Sequence, residues 1–194
     1  VGLKSLLNRR PIVVALAGPN GAGKSIFFDA HLSDMGLRFV NADQLALLMG
    51  IDPYKAAALA DAVRRQLVAQ RESFIFETVF SDAQGDKLNF LKETERAGYT
   101  VLLIFIGIAQ PEISDQRVAM RASRGGHDVP RQKLFDRFPR TMNNLKKALV
   151  ELSNVWVYDH SDLDIGYRLV AIKETGGAIA LDEPTPEWLR AALP

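Results

Sequence analysis

Eight consecutive residues, Gly18-Pro19-Asn20-Gly21-Ala22-Gly23-Lys24-Ser25, set three glycines, a lysine and a hydroxyl at a spacing that suits phosphate. Glycine lets backbone N–H groups close on an anion with no Cβ in the way. A lysine at the sixth glycine-loop spacing reaches β- and γ-phosphates, and the hydroxyl after it ligates Mg²⁺. Gly18, Asn20, Gly21, Ala22, Gly23, Lys24 and Ser25 are therefore candidate contacts for ATP, with Ser25 also a candidate magnesium ligand. A glycine turn that happens to hold a lysine is the bland alternative. The flanking elements argue against it.

Those elements are an apolar run before the loop, Ile12 to Ala17, and an apolar helix start after it, Ile26-Phe27-Phe28. The run has no polar alternation, so both its faces should be covered, as in a parallel sheet between helix layers. Further strands are expected at 37–40, 74–76, 100–106 and 155–158. Helices are expected at 24–33, from Asp52-Pro53 to about Gln70, at 83–97, from Pro111, and from Pro130 to about Leu152 with a break or kink at Pro139. Residues 167–172 and 178–181 read as a hairpin turning at Gly176-Gly177, and a short helix carrying Trp188 ends the chain. The alternation predicts one α/β domain over 1–194, with a mainly parallel five-stranded sheet flanked by helices, a C-terminal β-hairpin and a short helix.

Open α/β sheets bind ligands beyond the carboxyl ends of their strands. After the second strand comes Asp43, either the cap of a short helix or a general base for an attacking hydroxyl. After the third come Glu77 and Thr78. An acid ending a buried Phe-Ile-Phe strand needs a partner, which could be Mg²⁺, a substrate or a plain salt bridge. After the fourth, Arg117, Arg121 and Arg124 are spaced to share a helical face, and Arg131, Arg137 and Arg140 follow. A solvated basic face is the ordinary reading of such a run. The preference for Arg, the Gly125-Gly126 pair and Pro139 favour a lid over about 117–140 that clamps phosphate. No aromatic residue interleaves with Arg117, Arg121 and Arg124, which argues against nucleic acid. After the fifth strand, Asp159-His160-Ser161 suggests a loop near the nucleotide base.

Composition narrows the rest. Of 194 residues, 47% are hydrophobic and 24% charged, with a formal net charge of +1. That balance gives no global attraction to nucleic acid or to a membrane surface. With no cysteine, disulfides and thiolate zinc sites are excluded. No apolar run reaches the ~20 residues of a membrane span. Val1-Gly2-Leu3-Lys4-Ser5 is not a signal peptide and reads as a trimmed start, so a cytoplasmic protein is expected.

Taken together, the chain resembles the zeta-toxin family of P-loop kinases. The matching text is Gly18 to Ser25, Asn41-Ala42-Asp43, Phe76-Glu77-Thr78, Arg121, the run Arg124-Gly125-Gly126-His127-Asp128-Val129-Pro130, Asn143-Asn144-Leu145 and Val157-Tyr158-Asp159-His160-Ser161. The resemblance implies a P-loop NTPase fold of the nucleoside-kinase type and an ATP-dependent kinase acting on a sugar hydroxyl of UDP-N-acetylglucosamine. It implies Asp43 as catalytic base, Lys24 and Ser25 on ATP and Mg²⁺, and Arg124 and Arg137 on phosphate, with Arg121 as a further candidate. Glu77 and Thr78 would line the substrate or magnesium site. Members often have Asn where this chain has His160, and the compact length is similar to the small chromosomal branch. An antitoxin protein is a partner that the resemblance raises, though no antitoxin segment is visible in the chain. A nucleotide-hydrolysing switch with no small-molecule acceptor is the alternative from another class.

Overall fold

A computed structural model describes residues 3–125 and 128–194. In chain order the elements are α1 (Leu3–Leu7), β1 (Ile12–Ala17), α2 (Lys24–His31), β2 (Arg38–Val40), α3 (Ala42–Met49), α4 (Pro53–Ala69), β3 (Phe74–Thr78), α5 (Asp86–Arg96), β4 (Thr100–Gly107), α6 (Pro111–Ala122), α7 (Arg131–Glu151), β5 (Val155–Asp159), β6 (Arg168–Lys173), β7 (Ala180–Leu181) and α8 (Glu187–Ala192), with a 3₁₀ turn at Ser33–Met35. The strands form one sheet in the order β2-β3-β1-β4-β5-β6-β7. β1 to β5 pair in parallel, and the C-terminal hairpin joins the β5 edge antiparallel. The expected five-stranded parallel sheet is thus extended to seven strands by the hairpin.

The pleat sends alternate residues to opposite faces. Val13, Ala15, Phe74, Phe76, Leu103 and Phe105 meet α4, α5, α7 and α8 on one face. Ile12, Val14, Leu16, Ile75, Ile104 and Ile106 meet α1 and α2 on the other. All six β1 side chains are buried, as its unbroken apolar run requires. Among the described residues no helix is long and apolar enough to cross a membrane.

Two local expectations change. α7 runs unbroken through Pro139. Proline removes one helical donor, but Pro139 lies on an exposed face, where water can serve the carbonyl left over. α6 stops at Ala122, so Arg124 lies in the turn beyond it and does not extend the helical face of Arg117 and Arg121. Gly125 has φ 85, consistent with a helix stop, while Gly126 and His127 of the expected glycine pair and its motif lie outside the described residues.

Candidate active site

Register brings the site together. Leu16 pairs with Glu77 and Ala17 with Thr78, so the acid of β3 emerges beside the loop that follows β1. Val40 pairs with Phe76, which sets Asn41 on the other side of Glu77. Gly18 takes φ 142, and a Cβ there would stand 2.1 Å from the Ile106 carbonyl oxygen, so only glycine lets the loop leave the sheet at this point.

Lys24 is buried, and its Nζ donates to the carbonyls of Gly18 at 2.9 Å and Pro19 at 3.0 Å. It lies 3.7 Å from Glu77 Oε1. Burial pushes the ammonium below its ordinary range, against the upward pull of Glu77 and Asp43. Glu77 Oε2 accepts from Ser25 Oγ at 3.2 Å and from Asn41 Nδ2 at 2.9 Å. Lysine, hydroxyl and amide thus converge on one carboxylate.

Asn41 does two jobs. Its Oδ1 caps α3 by accepting from the Asp43 and Gln44 N–H groups at 2.8 and 3.1 Å, while its Nδ2 holds Glu77. The cap left open between a structural and a chemical role for Asp43 is therefore supplied by Asn41. The Asp43 carboxylate is exposed in the first turn of α3 and borders a cavity of about 650 Å³. Asn20, Thr78, Lys87, Arg137 and Arg140 border the same cavity. A smaller chamber of about 150 Å³, bordered by Asn41, Asp43, Glu77, Arg64 and Lys87, lies against it.

The floor of the larger cavity is a strained turn. Phe80 is fully buried with φ 61, a conformation that costs a bulky residue about 1–3 kcal/mol and persists only where its surroundings enforce it. Thr78 Oγ1 accepts from the Phe80 N–H at 3.0 Å, and Asn144 Nδ2 donates to the Phe80 and Asp82 carbonyls at 2.9 and 3.0 Å. Thr141 Oγ1 donates to the Val79 carbonyl at 3.0 Å. α7 therefore pins the floor with Thr141 and Asn144 and also supplies Arg137 and Arg140 to the cavity.

The arginine run does not act as one face. Arg117 points inward and donates to the carbonyls of Gly21, His160 and Ser161 at 3.3, 2.9 and 3.1 Å, so it ties loops together. Arg121 stands close enough for its charge to weigh on Lys24. Arg124 is exposed in the turn after α6, and Arg131 pairs with Asp115 at 3.2 Å. His160, expected near a nucleotide base, is buried against the glycine loop, with Nδ1 2.8 Å from the Ala22 carbonyl.

Sequence reasoning missed Arg64, Lys87 and Lys133. Arg64 is buried in α4, pairs with Asp61 and lies 4.8 Å from the Phe76 ring centroid. A signal existed, because Ala60, Arg64 and Leu67 follow the spacing of four and three that marks the buried stripe. Lys87 shares Asp61, at 2.9 Å, and Lys133 borders the larger cavity. Ser25 and Glu77 carry hydroxyl and carboxylate oxygens, the hard donors that could hold magnesium together with phosphate and water. Among the described residues no group of three or more His, Asp or Glu side chains gathers to hold a metal without such help.

The zeta toxin family model matches residues 53–166, more than half of the chain. The chain belongs to the zeta toxin family. The match takes in Glu77, Thr78 and the arginines, and it begins after the phosphate loop and Asp43, which stand on their own geometry. A chain of the AvrRxo1-ORF1:AvrRxo1-ORF2 complex is similar at TM-scores of 0.68 with sulphate ions and 0.67 with ATP, at 19% and 18% identity. Those matches cover 93% and 92% of this chain but 64% and 63% of the other, so this zeta toxin family member spans less than two thirds of that relative's length. The PezAT chromosomal toxin-antitoxin system of Streptococcus pneumoniae matches at TM-score 0.61 and 17% identity, over 98% of this chain and 89% of that one. A putative kinase from Chloroflexus aurantiacus matches at TM-score 0.51 and 18% identity, over 63% and 74%. At such identities the likenesses establish the fold, which is that of P-loop kinases. No curated protein is similar to the chain in sequence.

Proposed function

We propose that this zeta toxin family member transfers the γ-phosphate of ATP to a hydroxyl of a small molecule. The observation that carries the reading is the seam between loop and cavity, where Lys24, Ser25 and Glu77 converge on one side and Asp43 stands on the other. The fold shared with a relative solved with ATP supports the choice of donor.

On this reading the loop N–H groups and Lys24 hold the β- and γ-phosphates. Ser25 and Glu77 would hold Mg²⁺, which screens phosphate charge when bound. The acceptor enters the larger cavity, and Asp43 takes the proton from its hydroxyl as that oxygen attacks phosphorus. The leaving ADP keeps the electrons of the broken P–O bond. Arg121, Arg124 and Arg137 belong to a lid-like stretch over about 117–140 that neutralises charge on the transferring group, and Thr78 borders the acceptor.

Lys133, Arg137 and Arg140 fall on one face of α7 by their spacing of four and three, and all border the cavity. A cationic wall of this kind suits an acceptor that itself carries phosphate. A nucleotide sugar of the UDP-N-acetylglucosamine type meets that demand and has the hydroxyl. An antitoxin protein is a further partner suggested by the toxin-antitoxin setting of the Streptococcus pneumoniae relative. ATP supply makes the cytoplasm the expected compartment.

A phosphotransfer screen with ATP and a panel of nucleotide sugars and metabolites, read by mass, tests the reading. One acceptor should gain a single phosphate, and Asp43→Asn should lower that transfer by about 10²–10⁴-fold with ADP binding kept. Full transfer by Asp43→Asn removes the base. ATP consumed with no acceptor shifted favours a hydrolysing switch.

A further inference from the structure

Three side chains from distant parts of the chain meet three successive carbonyls of the phosphate loop. Arg117 of α6 donates to the Gly21 carbonyl at 3.3 Å. His160, just past β5, places Nδ1 2.8 Å from the Ala22 carbonyl. A carbonyl only accepts, so Nδ1 carries the hydrogen and the ring is fixed as that tautomer. Tyr167, just before β6, donates its hydroxyl to the Gly23 carbonyl at 2.6 Å.

The three brace one another. The His160 and Tyr167 rings stack at 4.0 Å between centroids and 18° between planes. Arg117 also holds the backbone carbonyls of His160 and Ser161 at 2.9 and 3.1 Å, so the loop bearing the imidazole is itself anchored. Fit is close. A Cβ on Gly23 would stand 2.6 Å from the Tyr167 hydroxyl and 2.8 Å from the His160 ring, so glycine is required there for space as well as for its φ of 91.

We infer that Arg117, His160 and Tyr167 are positioning residues that set the donor loop in its phosphate-binding shape before nucleotide arrives. In a planar trans peptide the C=O and the next N–H point opposite ways. Holding the Ala22 and Gly23 carbonyls outward therefore aims the Gly23 and Lys24 N–H groups to the other side, where phosphate would lie. Without the clamp the flexible glycine loop would have to order itself on binding, and affinity would fall by that cost. The clamp touches phosphate only through the backbone. It needs a donor at His160 and no charge, which an asparagine amide also supplies from nearly the same place.

The inference rests on the donor-site reading and not on the acceptor. Its test is binding of ADP, inorganic tripolyphosphate and adenosine to the full chain and to His160→Leu, His160→Asn and Tyr167→Phe. His160→Leu and Tyr167→Phe should raise the Kd of ADP and tripolyphosphate by about tenfold, the effect of one lost buried hydrogen bond, and leave adenosine within about twofold. His160→Asn should return ADP to within about threefold of the parent. Equal weakening of adenosine and ADP, or an unchanged ADP Kd in both deleting variants, overturns the clamp. If His160→Leu does not fold, Tyr167→Phe removes one oxygen and keeps the stack. No ADP binding by the parent chain would remove the donor site and the clamp with it. Loss of ADP in the variants, with no acceptor found for the parent, would leave the clamp standing and remove only the transfer reading.

Discussion

The two sides of the seam are built differently. On the loop side, Lys24, Ser25, Glu77, Asn41, Arg117, His160 and Tyr167 are bonded to one another or to backbone within the chain itself. On the α6–α7 side, Arg121, Arg124 and Arg140 are exposed and Arg137 is half-buried at the cavity wall. On the loop side, sheet register sets Glu77 and Asn41 beside the loop, and Arg117, His160 and Tyr167 tie the loop's backbone down from other elements. Arg121 lies near the end of α6, Arg124 in the turn beyond it, and Arg137 and Arg140 within α7, none of them placed by sheet register. Such a division suits a site whose donor half is preformed and whose other half closes on what has bound.

The difference predicts which step each side controls. Of the cations on the two sides, Lys24 should matter more: Lys24→Ala should cost about 10³-fold in kcat/KM, because it removes a desolvated charge from both bound and reacting phosphate. ADP binding should weaken along with it, and titration calorimetry on the same variant checks this. Normal ADP affinity in Lys24→Ala would break the assignment of the loop side to binding.

Arg137→Ala should cost about 10²-fold in kcat, less than Lys24, with the ADP Kd within about twofold of the parent. Steady-state kinetics beside the same titration separate the two. A fall in ADP affinity as large as the fall in kcat would mean that Arg137 belongs to the preformed half, and the contrast between the two sides would fail.

The contrast also explains what could be read from sequence. The glycine loop, the acid after β2 and the acid ending β3 are local patterns, and each took its expected place. The Asp52 cap with Pro53 behind it likewise starts α4, accepting from the Tyr54 and Lys55 N–H groups. Asn41 was harder, since Asn and Asp cap equally well and only the backbone shows which of them does. Arg117 was illegible as a structural tie because its partners stand 43, 44 and 96 residues away and are carbonyls, which every residue has. His160 was illegible for the same reason. Helical spacing could put Arg117 and Arg121 on one face, but it could not say which of them turns inward.

The smallest expected effect concerns that buried imidazole. Burial holds His160 below its ordinary value of 6.5, with the Arg117 charge adding to the effect, while the Ala22 carbonyl and Asp159 pull the other way. Its neighbours on every side are Arg117 from α6, Asp159 on β5 and Tyr167 before β6. Between its folded value and 6.5 the unfolded chain binds more protons than the folded one, so stability rises with pH across that window. Acidifying from pH 7 should therefore lower the unfolding midpoint of the parent more steeply than that of His160→Asn, which keeps a donor but cannot titrate. Melting curves from pH 7 to pH 5 measure the difference between the two slopes. Parallel curves would mean that His160 titrates alike in both states, and that its ring is less enclosed between loop and tyrosine than the stack at 4.0 Å requires.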